Sequence, residues 1–379
     1  MTHNVKTKKP IIDIKIIGVG GCGTNSAAKM INSDFEGVEF IFANTDRQAL
    51  DNIGAENNIY LGSEINDGMG AGANPEIGKS AAIASEEQIR NKIIGSKLLI
   101  ITAGMGGGTG TGASPIIAKI AKEMGILTIA IVTTPFAFEG IKRDVNSQKG
   151  IEELRKTVDS LIIVSNNKLL ENYSEISFED SFTMADKILK NTVQILTDII
   201  LKPSYINLDF ADVCSIIKDT KNAYIWQGRA SGKNKAEKAV MKAINSNMLE
   251  NSINDSTDAI VNLTGGNDIS LSEANFIMNK IKEQTNENIN IIFGIRKDES
   301  IKNEIQVSII ATSGKGNIKT INPEFPNIQS SDIFKKNSSS QWNYDEESEK
   351  ETLSKNSTDQ NDSFSVIDDD DDEIPFFLK

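Results

Sequence analysis

Among the 379 residues there is one histidine, His3, and there are two cysteines, Cys22 and Cys214. A single imidazole near the amino end excludes Ser-His-Asp and Cys-His nucleophile systems and histidine-ligated zinc or iron. Two thiols provide neither a disulfide framework nor a cysteine-rich metal site. No apolar run approaches the roughly 18 residues of a membrane span. Residues 1–10 are basic without an apolar segment behind them, so a cytoplasmic chain with no direct membrane insertion is expected. Positive charge is also short, with 40 Lys and Arg against 53 Asp and Glu, and the net charge of −13 speaks against a general nucleic-acid binder. Chemistry is left to carboxylates, amides, backbone N–H groups and hard cations, a set that suits phosphoryl transfer.

Glycine, by contrast, is concentrated in three places. Gly104-Met105-Gly106-Gly107-Gly108-Thr109-Gly110-Thr111-Gly112 lies between a strand-like run at 97–103 and a helical pattern at 113–124. Such a segment can turn several N–H groups toward one anion, and the helix behind it adds the positive end of its dipole, so it reads as a phosphate-binding loop. At the carboxyl end of a parallel strand, nucleotide is the leading ligand class. Gly18-Val19-Gly20-Gly21-Cys22-Gly23-Thr24-Asn25 follows a second strand-like run at 11–17 and matches G-x-G-x-x-G. Alone it equally fits a dinucleotide fingerprint, with Glu39 or Asp46 as the later acid, and an NAD-type oxidoreductase is the rival reading. That rival leaves the loop at Gly104 without a task. A third segment, from Gly68 to Ser80, imitates a P-loop but has five residues between Gly72 and Gly78, where the motif allows four; Pro75 suits the first turn of a helix running through Ala81 and Ile89.

Strand-like runs at 11–17, 38–43, 97–103, 127–133 and 161–164 alternate with helical patterns, which predicts an α/β fold with a doubly wound, mainly parallel sheet. Phe182, Ala185, Ile188, Leu189, Thr192, Ile195, Leu196 and Ile199 recur at helical spacing, giving a central helix about 35 Å long. Strands at 205–208, 259–264, 288–294 and 305–312, with helices at 233–245 and 270–284, predict a second, α+β domain. The expected division is a disordered amino terminus at 1–10, a nucleotide-binding domain at 11–177, the helix at 178–202, the α+β domain at 203–314, a disordered linker at 315–367 and a terminal partner-binding motif at 368–379. Residues 315–379 carry 15 acidic and 7 basic side chains and read as a charged tether. At its end Ile374, Phe376, Phe377 and Leu378 follow an acidic block, the pattern of a short motif that folds into a partner's groove.

Asn207, Asp209 and Asp212 stand just ahead of a helical pattern at 213–217, with the two acids on one helical face. Two readings stay open. Asp209 is an N-cap with Asp212 in the first turn, worth about 1 kcal/mol, or the two acids and the amide polarise and orient water against a phosphate. A helix about 35 Å long carries this loop away from the glycine loops, so one chain cannot join them. Copies stacked head to tail can, and a heterologous contact that does not close makes a filament.

Together these residues resemble the FtsZ family, the bacterial tubulin relatives that assemble the division ring. The resemblance runs from about Ile11 to Thr312, with the terminal motif as a separate match. It implies a GTP-binding, GTP-hydrolysing protein, cytoplasmic at the division site, that polymerises head to tail with GTP/GDP and Mg²⁺ as its ligands. By that similarity Gly20, Gly21, Cys22, Gly23 and Asn25 line the nucleotide, while Gly104, Gly106, Gly107, Gly108, Thr109 and Gly110 form the phosphate motif. Loops containing Asn44 and Ala71-Gly72-Ala73 face the γ-phosphate and its Mg²⁺, Glu139 takes the ribose hydroxyls, and Arg143 takes an anionic or ribose oxygen. Asn166, Phe182 and Asp186 hold guanine, and Asn207, Asp209 and Asp212 complete the neighbour's site. Phe182 as core, Asp186 as a solvated charge and Arg143 as a surface ion pair are the plainer alternatives. The resemblance further implies that Ile374, Phe376, Phe377 and Leu378 dock on membrane-tethering division proteins of the FtsA/ZipA kind. Lys218 to Gly228 departs from the Met- and Gly-rich stretch usual in the family, which keeps a structural protein with degenerate catalysis as a third reading.

Overall fold

The computed structural model describes residues 12–313 apart from 32, 34, 173–176, 247–252, 254–255, 267 and 286–288. The terminal motif expected at 368–379 and the tether before it lie outside the described residues. Six strands, β1 (Ile14–Val19), β2 (Val38–Asn44), β3 (Asn58–Tyr60), β4 (Leu98–Gly104), β5 (Leu127–Thr134) and β6 (Ser160–Ser165), run parallel in the order β3-β2-β1-β4-β5-β6. Four more, β7 (Lys221–Ser231), β8 (Asp258–Gly265), β9 (Asn290–Lys297) and β10 (Glu304–Thr312), continue the sheet as β7-β10-β8-β9. In this second half only β8 and β9 pair in parallel. Two residue pairs, Ser160 with Lys221 and Leu161 with Asn222, join the halves.

Both faces of the parallel half are covered, which is why its strands are nearly continuous apolar runs. Ile14 and Ile16 of β1 point into one core, shared with Leu189, Val193, Leu196 and Ile199 of the long helix. Ile17 and Val19 point into the other, with Ile117 and Ala118 of the helix Thr109–Glu123. The long helix spans Phe178–Leu201, 24 residues and about 36 Å at 1.5 Å per residue. It opens at Ser177, whose hydroxyl accepts from the Asp180 N–H at 3.1 Å, and Glu179 and Asp180 complement its positive end. Of the stripe expected from sequence, Ala185, Ile188, Leu189, Thr192, Ile195, Leu196 and Ile199 are buried. Phe182 is the exception at 38% exposed, lying edge-on to Phe136 with ring centroids 5.1 Å apart.

Several boundaries differ from the sequence reading. Gly18 to Asn25 is not an extended loop, because the helix Gly20–Ile31 begins at the second glycine. The helix started by Pro75 ends at Ala84 and a second runs over Glu86–Ile93, since buried Ser85 turns its hydroxyl to the Gly62 N–H at 2.9 Å. No strand forms at 205–208; the segment makes a single bridge, Ile206 with Ile295, and Tyr205 stays 76% exposed. Strand β7, built from the unusual Lys221 to Gly228 stretch, gave no clean alternation because polar residues interrupt it. Gly228 is required there, as a Cβ would collide with the Ala239 carbonyl of the helix Lys235–Ile244.

Leu196 is 1% exposed between the long helix and the sheet. Leu196→Ala should therefore lower the unfolding free energy by about 2–5 kcal/mol, read from urea denaturation midpoints.

Candidate active site

Strands β1, β4, β5 and β6 all end at one edge of the parallel sheet, and each hands the chain to a segment of the same cavity, as open α/β sheets do. After β1 the helix Gly20–Ile31 starts at once; after β4 come residues 104–108 and the helix Thr109–Glu123. Gly20 has φ +71°, and a Cβ there would lie 2.7 Å from the Gly110 nitrogen, so the two glycine segments cross in backbone contact. Gly106, at φ +102°, passes the Arg143 carbonyl as closely, its Cβ position only 2.8 Å from that oxygen. Gly21 and Gly107 behave differently. Beyond the chain immediately around them, no atom lies within 4 Å of a Cβ built on either, which leaves their backbone open to close approach by a ligand.

The cavity has a volume of about 750 Å³. Fourteen of the expected residues line it: Gly20, Gly21, Cys22, Asn25, Gly104, Gly107, Gly108, Thr109, Gly110, Glu139, Arg143, Asn166, Phe182 and Asp186. Thr111 ties the glycine segment down by accepting from the Gly106 N–H at 2.9 Å, and Thr109 shares a 2.6 Å hydroxyl contact with Thr45. No side chain caps the helix that starts at Thr109, so its first N–H groups are left for another acceptor. Glu139 accepts from the Phe136 N–H at 2.9 Å and from Arg143 at 2.7 Å, so the plainer ion-pair reading of Arg143 describes what the single chain contains. Asn166 is 5% exposed, and its Oδ1 has no hydrogen-bond partner. A buried orphan acceptor on a cavity wall costs about 1–3 kcal/mol unless a ligand satisfies it.

Six expected residues stand apart from the lining. Gly23 is buried against the Thr102 carbonyl, and Gly106 lies behind the loop against Arg143. Asn44 lines a separate cavity of about 160 Å³ with Thr45, Arg47 and Tyr60. Ala71 is buried under Gly108, while Gly72 and Ala73, both with positive φ, form an exposed turn. Sequence reasoning missed Lys29, Ala28, Met105 and Ala185 in the wall. Lys29 becomes legible once the helix is known to start at Gly20, since it then follows Asn25 on one face, four residues on.

Asn207, Asp209 and Asp212 are outside the cavity, past the far end of the long helix whose first turns carry Phe182 and Asp186. Asp209 accepts from the Asp212 N–H at 2.8 Å and Asp212 accepts from the Asp209 N–H at 2.9 Å, a reciprocal capping box on the helix Phe210–Ile217. The capping role is thus present; Asn207 and Asp209 are exposed and Asp212 is half-buried.

A family model described as the tubulin/FtsZ family GTPase domain matches residues 13–174, and one described as the FtsZ family C-terminal domain matches residues 222–315. The chain is 54% identical over 315 residues to the cell division protein FtsZ of Mycoplasmopsis pulmonis (strain UAB CTIP), covering 83% of this chain and 80% of that one. An empty FtsZ dimer of M. jannaschii is similar in structure, with a TM-score of 0.75 and 36% identity over 81% of this chain and 89% of its own. CetZ2 of Haloferax volcanii, solved as a GTPγS-bound protofilament, shares the fold with a TM-score of 0.68 and 17% identity over 79% and 92%. Two glycine segments crossed over one cavity and matches to both halves lead to one conclusion: the chain belongs to the FtsZ branch of the tubulin/FtsZ family, a GTPase that binds GTP and GDP.

Proposed function

We propose that this GTPase works as a head-to-tail polymer in which each copy holds the nucleotide and the next copy supplies the water-directing acids. The single observation that carries the reading is the separation of Asp209 and Asp212 from the cavity by the length of the helix Phe178–Leu201. In the cavity, the phosphates rest on Gly20 to Cys22 and Gly107 to Gly110, Glu139 and Arg143 take the ribose side, and Asn166, Phe182 and Asp186 take guanine. Asn207, Asp209 and Asp212 of the adjoining copy orient water toward the γ-phosphate. Capping does not exhaust these acids. Each carboxylate accepts one backbone N–H and keeps outward lone pairs for water. Exposed apolar side chains flank both ends, with Phe138 at 54% and Ile141 at 84% beside the cavity loop, and Tyr205 at 76% beside the acids.

Among the described residues, no group of three or more His, Cys, Asp or Glu side chains could hold a metal alone. That donor set suits Mg²⁺ held through phosphate oxygens and water with one or two protein oxygens, drawn from the loops of Asn44 and Ala71-Gly72-Ala73 beside Thr109. When bound, Mg²⁺ offsets charge on the transferring phosphoryl group. The FtsZ dimer and the CetZ2 protofilament support assembly of this kind. By the same kinship the filament serves the bacterial division ring in the cytoplasm, with Ile374, Phe376, Phe377 and Leu378 as the handle for tethers of the FtsA/ZipA kind.

Asp212→Asn tests the shared site, since asparagine is no longer a carboxylate but keeps an amide oxygen able to accept from the Asp209 N–H. It should bind GTP as the parent does and lose turnover by about 10²-fold or more. Parental turnover per chain should also fall on dilution; concentration-independent turnover would overturn the proposal. Occupancy can be read at Cys22, which is exposed to solvent on the cavity wall, while the surrounding atoms push its thiol up by desolvation, helped by the charges of Asp186 and Glu139 and opposed by Thr133 and Ser26. It should react with maleimide at neutral pH more slowly than an ordinary exposed thiol. GDP should slow it further in a mass-spectrometric time course while leaving Cys214 unchanged.

A further inference from the structure

Ser26 and Lys29 lie one turn apart on the helix Gly20–Ile31, and both donate to Asp186 of the long helix. The Ser26 hydroxyl donates to Oδ1, and the Lys29 ammonium donates to Oδ2 at 2.6 Å. Ser26 is 1% exposed, so its hydroxyl is fixed in place, whereas the Lys29 side chain is 58% exposed and lines the cavity beside Asn25, Phe182 and Asp186. Each carboxylate oxygen has two acceptor positions. Ser26 and Lys29 fill one on each oxygen and thereby orient the remaining pair. An ammonium has three donors, and one is used here.

Resting on the reading that Asp186 takes guanine, we propose that Lys29 is a second base-specificity residue, whose ammonium donates to guanine O6 while Asp186 accepts from N1–H and the 2-amino group. The chemical order along the base edge matches the order of the side chains. Oδ2, held by Lys29, takes N1–H, which places the ammonium next to O6; Oδ1, held by Ser26, takes the 2-amino group. Adenine reverses the pattern, turning an amino donor toward the ammonium and a ring acceptor toward the carboxylate, and polar groups left unpaired against the ligand discriminate more strongly than a change of shape. As a plain ion pair, a lysine this exposed would contribute little. One helix thus serves both ends of the ligand, with its first glycines at the phosphates and its second and third turns at the base.

The test uses the full chain and displacement of a fluorescent GDP analogue by GDP, 6-thio-GDP, IDP and ADP. Lys29→Met should weaken GDP and IDP, which keep O6, by about tenfold to a hundredfold. It should weaken 6-thio-GDP by clearly less, since sulfur is the poorer acceptor, and Lys29→Arg should recover most of the loss. Equal losses for GDP and 6-thio-GDP, or no loss, would overturn the role of Lys29. Asp186→Ala is the separate control and should abolish the preference of GDP over IDP, which lacks the 2-amino group. If Asp186→Ala leaves that preference intact, the guanine reading itself fails, and the inference with it.

Discussion

The site depends on a contact of backbone against backbone, where Gly20 meets Gly110 and a side chain on Gly20 would lie 2.7 Å from the Gly110 nitrogen. This crossing exists because β1 and β4 are neighbours in register, from Ile14 opposite Leu98 to Val19 opposite Ala103, so their carboxyl ends deliver both segments to one spot. Two sets of N–H groups and two helix starts then surround one cavity. A ligand with several anionic oxygens is what such a cradle suits, and the orphaned Asn166 oxygen adds a demand for a polar group farther along.

The long helix gives the fold its second constraint, that of distance. Its first turns carry Phe182 and Asp186 into the cavity, and its carboxyl end, about 36 Å from its start, leads on to Asp209 and Asp212. A rigid rod buried along Leu189, Val193 and Leu196 cannot bend these two groups together. Incompleteness of the single chain is therefore built into the core. The same rod serves as wall for both halves of the sheet, since Ile260 and Ile310 share the core of Leu196. The two-pair junction between β6 and β7 is thus supported by packing more than by hydrogen bonds.

The segment Lys218 to Gly228 looked like the weakest part of the family resemblance, and it forms the strand that links the halves. Trp226 is 2% exposed, and Ala223 and Ile225 are buried with it. Asp219 and Lys221 both adopt positive φ at the turn into β7. Lys122 is held above the usual lysine range because its bonds to Asp219 and attraction to Asp159 outweigh desolvation, and it fastens that turn to the parallel half. Departure from the usual composition here coexists with an intact sheet, because Ala223 and Ile225 fill one core and Trp226 the other, and burial matters more than which apolar residue supplies it.

Local chemistry was legible without coordinates. The glycine runs, the 24-residue helix from Phe178 to Leu201 and the absence of usable histidine all followed from residue types and spacing, because backbone freedom, helical periodicity and side-chain reactivity are properties of short segments. The fates of Phe182, Lys29 and Gly23 were not legible. All three sit on regular helices, and only the packing of one helix against another decides which face meets the cavity and which meets the core. Strand β7 was hidden for the same reason, since its polar interruptions make sense only beside β10 and the helix Lys235–Ile244. What the sequence determined alone was the inventory of groups able to hold a nucleotide and to direct water. Only the tertiary structure decided that they stand at opposite ends of one helix, because that separation is set by long-range packing and no local pattern encodes it.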